Sequence, residues 1–61
     1  MERLVQTHRF GPHRVDVVEH VDDDGTSYEV LVDGTVVTGP LEASPRMEDL
    51  VRIFARSQAQ A

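Results

Sequence analysis

VDDDGTSYEVLVDGTVV, residues 21–37, holds two turn signals with a valine-rich run between and after them. In Asp22-Asp23-Asp24-Gly25, aspartates favour a turn through local side-chain hydrogen bonds, and glycine tolerates positive φ. Asp33-Gly34 is among the strongest short hairpin signals. The stretch reads strand, turn, strand, turn, strand. A two-residue turn at Asp33-Gly34 sets Val32 opposite Thr35 and Val30 opposite Val37. A four-residue turn at 22–25 sets Val21 opposite Thr26, Val17 opposite Val30, and Val15 opposite Val32. Both turns put Val15, Val17, Val21, Tyr28, Val30, Val32 and Val37 on one face. A one-residue slip would invert every side chain, so this agreement specifies the register.

Working outward, the expected strands are 13–21, 26–32 and 35–38, the last stopped by Gly39-Pro40. Upstream, Gly11-Pro12 separates a first strand over 3–10, from which Leu4 and Phe10 can join the core face. Downstream the pattern changes. Ser44 is an N-cap candidate, with Pro45 at the first helical position. Met47, Leu50, Val51 and Phe54 recur at helical spacing with Ile53 beside them, predicting a helix over 45–57 and a frayed tail over 58–61. Glu48 and Asp49 near its start and Arg52 and Arg56 toward its end suit the helix dipole, and Glu48–Arg52 is a favourable i,i+4 pair. The expected fold is a single α+β domain, a four-stranded antiparallel β-meander with one C-terminal helix on one face (ββββα). It becomes three-stranded if the first strand does not join; that strand pairs at the sheet edge or swaps between chains.

The other face then carries Val5, Thr7, Asp16, Val18, His20, Glu29, Leu31, Val36 and Thr38. One helix cannot cover both faces. Scattered apolar surface residues are common in soluble proteins. Against that stands the size of the chain. Sixty-one residues bury only about 60% of their unfolded surface, and such a core rarely contributes more than about 3–5 kcal/mol. Cysteine is absent, so disulfides and thiolate zinc sites are excluded. An interface is the expected supplement, centred on Val18, Leu31 and Val36 with Glu29, His20 and Asp16 at its rim. The partner is a second copy or a larger protein.

Net charge is −5 and unevenly spread. Residues 1–14 carry Arg3, Arg9 and Arg14 against Glu2, whereas residues 15–33 hold seven acidic residues and no basic one. So acidic a chain is a poor general binder of phosphate backbones. The alternative function, a small nucleic-acid-associated regulator, would rest on Arg3, Arg9 and Arg14, which could also meet another acidic partner. No run approaches the ~18 apolar residues of a membrane span, and MERLVQTHRF lacks the apolar stretch of a signal peptide. A cytoplasmic location is expected. Lysine and asparagine, both with A-rich codons, are missing, which suggests a GC-rich bacterial genome.

The remaining chemistry is sparse. With Gly25 at the sixth position of a calcium loop, the first falls on His20 and the twelfth on Leu31, where oxygen ligands are required. DDDG therefore reads as an acidic turn. His8, His13 and His20 lack the spacing of a zinc pair. Ser27, Ser44 and Ser57 lie in a strand start, a cap and a tail, without a nucleophile-elbow motif. No phosphate-binding glycine motif occurs. No enzyme activity, cofactor, metal or small-molecule substrate is expected. DDDGTSYEVLVDG ahead of a helix resembles MbtH-like proteins, partners of peptide-synthetase adenylation domains. The likeness covers turn chemistry only: the hallmark tryptophans are missing, TVVTGPLEASP departs from the motif, and no residue role carries over.

Overall fold

The computed structural model of the chain describes residues 1–60. Four antiparallel strands, β1 (Glu2–Phe10), β2 (His13–Asp22), β3 (Gly25–Val32) and β4 (Thr35–Leu41), form one sheet in sequence order. A single helix, α1 (Met47–Ala59), follows and packs on one face. Ala61, the end of the tail expected to fray, lies outside the described residues.

The β2–β3 register is the one the turns dictate: Val15 faces Val32, Val17 faces Val30 and Val21 faces Thr26. Asp22 accepts the Asp24 N–H at 2.8 Å, the local side-chain bond that makes aspartate a turn residue. Asp33 takes φ 51° beside Gly34 at 86°, as a tight hairpin turn with two positive-φ positions requires.

Three register shifts, at Val5, at Val37 and at Gly39-Pro40, change which residues share a face. In β1, Leu4 pairs with Val18 but Gln6 pairs with Val17, so Val5 is an extra residue. A bulge sets two residues opposite one and re-aims those before it. Leu4 therefore joins the face away from the helix, and Val5 packs against the core, the reverse of the expectation. In β4, Leu31 pairs with Val36 and Val30 with Thr38, leaving Val37 as the extra residue. The expected Val30–Val37 pair does not form, and Thr38 turns to the helix side with Val30.

Nor does β4 stop at Gly39-Pro40. It continues to Leu41, which pairs with Tyr28 and reaches the core. An edge strand can absorb a proline because its outer side needs no N–H donor. The Gly39–Pro40 peptide is cis. Gly39 has φ 140°, and a Cβ there would lie 2.9 Å from Glu29 Cγ and 3.0 Å from the Tyr28 carbonyl oxygen. Only glycine fits that crossing.

The helix starts later than the Ser44-Pro45 signal implies. Arg46 is the N-cap, and the Asp49 carboxylate accepts its backbone N–H at 3.0 Å. Ser44 is diverted: its Oγ accepts from Gln6 Nε2 at 3.0 Å, and the same amide donates to the Pro45 carbonyl at 2.9 Å. These bonds fasten the β4–α1 connection to β1. Arg52 pairs with Asp49 at 2.7 Å rather than with Glu48.

The helix buries Leu50 completely, with Ile53 and Phe54 partly buried. These follow the i, i+3, i+4 stripe expected of a helix facing a core. Met47 and Val51, expected on that stripe, are 48% and 52% exposed on its flank. Phe54 meets Phe10 edge-to-face with centroids 5.0 Å apart, which anchors this rotation. Val15, Val17, Val30 and Val32 complete the buried core.

Candidate functional site: the open face of the sheet

Side chains alternate across a strand, so the β2 residues between the core valines project to the side without a helix. Cross-strand pairing then fixes their neighbours. Leu4 pairs with Val18, Val18 with Glu29, Asp16 with Leu31, and Leu31 with Val36. Val18 and Leu31 are diagonal neighbours on adjacent strands, within reach for large side chains. Leu4, Val18, Leu31 and Val36 thus form a diagonal apolar band across all four strands. Leu4 is 57% and Val36 50% exposed, while Val18 and Leu31 are half-buried.

Polar clusters flank the band on both sides. On one side His20 Nε2 meets Glu29 Oε1, and its Nδ1 lies 3.4 Å from Glu2 Oε2. On the other, Asp16 accepts from Thr7 Oγ1 at 2.6 Å and from Arg14 Nε at 2.8 Å. Asp16 is only 7% exposed although no element covers this face. Its charge is tolerated because both carboxylate oxygens receive donors.

The band contains every apolar residue expected at its centre, Val18, Leu31 and Val36, and adds Leu4. Glu29, His20 and Asp16 lie beside it. Val5 and Thr38 do not belong to it, because the bulges at Val5 and Val37 turn them toward the helix. No local sequence signal marks either bulge. The alternation of apolar and polar residues in HRVDVVEHVD was the usable cue.

The N-terminal arginines are divided between faces. Arg3 pairs with Glu19 at 3.0 Å on the helix side, where Glu19 also accepts the Tyr28 hydroxyl at 2.9 Å. Holding the proton toward a carboxylate pushes the Tyr28 phenol above its ordinary value. Arg9 and Arg14 are cross-strand partners on the open face, and Arg14 is engaged by Asp16. The three do not form one basic surface.

The histidines are likewise dispersed. His8 Nε2 contacts Gln6 Oε1 at 2.9 Å. His13 Nδ1 contacts Asp33 Oδ2 at 2.7 Å, with its ring 5.4 Å from that of Phe54. That His13 contact and the Arg14 backbone N–H, which donates to Asp33 Oδ1, hold the Asp33 carboxyl below the usual range. Hydrogen bonds from the Arg46 N–H and Arg52 do the same for Asp49. Among the described residues no three histidine or acidic side chains converge as a metal site would require, and no helix is long and apolar enough to cross a membrane.

No protein-family model, curated protein or solved structure matches the chain. The open face has an apolar centre flanked by the polar clusters His20–Glu29 and Thr7–Asp16–Arg14. A surface of that kind suits burial against another protein, with hydrophobic contact at the centre and polar pairs at the rim.

Proposed function

We propose that the protein is non-enzymatic and works by association through the open face, pairing with a second copy of itself or serving as an accessory subunit of a larger protein. The observation that carries this reading is the diagonal band Leu4–Val18–Leu31–Val36, left uncovered in a chain whose buried core is four valines and one leucine. Burying apolar surface contributes roughly 25 cal/mol per Å², so covering the band adds stability that so small a core lacks. A two-fold arrangement would set one band against another, as a self-complementary patch requires.

The test is the mass of the protein in solution, by light scattering after gel filtration, for the wild type and for Val36→Glu and Leu31→Glu. Val36 sits on the edge strand and is half exposed, so its replacement should leave the helical and strand content unchanged by circular dichroism. The wild type is expected to run as a dimer and both variants as folded monomers. Variants that keep the wild-type mass would remove the band from any role in assembly.

A further inference from the structure

On the other side of the sheet a groove runs between the helix and edge strand β4. The groove has a volume of about 490 Å³ beside the β4–α1 connection and runs into a second hollow of about 290 Å³ toward the helix end. Thr38, Ile53 and Arg56 line both, so the two adjoin. Leu41 and Ile53 give it apolar walls, and Arg46, Arg52 and Arg56 are spaced along it. Three of the six arginines of a chain with net charge −5 thus line one groove. Two carboxylates, Glu42 and Asp49, line it too; Asp49 and Arg52 pair with each other, which leaves Arg46 and Arg56 against Glu42. The guanidinium groups of Arg46 and Arg56 enter no ion pair among the described residues. The outer edge of β4 lies alongside and has no strand partner.

We propose that this groove is a docking site for an extended acidic peptide segment of a partner protein, with alternate apolar side chains against Leu41 and Ile53 and carboxylates meeting Arg46 and Arg56. Charge complementarity selects the ligand: the groove concentrates cationic side chains on a molecule that otherwise repels anions. Its form favours an extended chain over a compact ion. At about 3.3 Å per residue, a segment as long as the seven residues of β4 spans roughly 23 Å. Arginine forks suit carboxylates bidentately, and free main-chain groups on the β4 edge can add hydrogen bonds. Of the open-face band only Val36, on edge strand β4, also borders the groove, so the proposal does not rest on that face.

The probe is an end-blocked seven-residue peptide of alternating glutamate and valine, titrated into the isotope-labelled full chain by NMR. Shifts are expected at the amides of Thr38, Ile53 and Arg56 and not at Val18 or Leu31. Arg46→Gln/Arg56→Gln, with helix content checked by circular dichroism because Arg56 also complements the helix dipole, should weaken binding at least tenfold, and raised salt should weaken it further. Leu31→Glu should leave it unchanged, which separates this result from the fate of the open face. Three outcomes overturn the proposal: a matching lysine–valine peptide that binds equally, a uridine heptanucleotide that binds more tightly, or glutamine variants that bind like wild type. Concentration-dependent self-association abolished by the glutamine pair, with no peptide binding, would instead assign the groove to a second copy.

Discussion

At the scale of single residues, Gly39 and Tyr28 show how little room the fold leaves. Gly39 crosses β3 so closely that a methyl group would meet a backbone carbonyl, and its φ of 140° is disfavoured for any side chain. Gly39→Ala should therefore destabilise the protein, by about 1–3 kcal/mol for a strained backbone position, with a fall in the urea midpoint as the readout. Tyr28, the only tyrosine, reports on the far end of the sheet. Its hydroxyl donates to Glu19, which favours the neutral phenol. A raised folded-state value means this contribution is intact below the unfolded pKa and lost as pH climbs through the folded one. In an absorbance titration the phenolate should form at higher pH in the native protein than in urea, and Glu19→Gln should shift the native midpoint down. Coincident native and unfolded midpoints would contradict the contact.

At the scale of elements, the hairpins and the existence of the helix were legible because their signals are local. Asp-Gly and Gly-Pro pairs demand particular backbone angles wherever they occur, and valine alternation names the strand faces between them. What the sequence hid was set by contacts distant along the chain. The bulge residues Val5 and Val37 look like any strand valine, and only pairing with β2 and β3 makes them the extra ones. Leu4 thus lies on the face opposite to the one strand alternation predicts, while Val18, Leu31 and Val36 lie where it predicts. Ser44 looks like a cap, yet Gln6, thirty-eight positions away, claims its hydroxyl. Helical spacing predicts a stripe of Met47, Leu50, Val51 and Phe54 with Ile53 beside it, whereas packing of Phe54 on Phe10 turns Ile53 inward and Met47 and Val51 outward. That rotation makes Leu50 the one helix residue completely buried. Leu50→Ala should cost about 2–5 kcal/mol, comparable to the whole stability of so small a core. Val51→Ala, on the exposed flank, should shift the thermal midpoint little. Equal losses at the two positions would mean the helix is rotated otherwise.

At the scale of the whole molecule, one dimension governs the rest. The chain measures 35 × 19 × 16 Å. A thirteen-residue helix is about 20 Å long, whereas a ten-residue strand runs about 33 Å. The helix thus shields part of one side of the sheet and none of the other. On its own side the uncovered end is closed by the polar Arg3–Glu19–Tyr28 chain. Across the sheet, the polar pairs His20–Glu29 and Thr7–Asp16–Arg14 leave the apolar diagonal between them bare. The molar mass of the wild type from micromolar to millimolar concentration, beside Val36→Glu, tests the account most directly. A folded wild type that rises to twice the chain mass while the variant stays monomeric is the predicted result. A wild type that remains monomeric throughout would rule out the second copy and leave only a larger partner, and a variant that dimerises equally well would contradict the account.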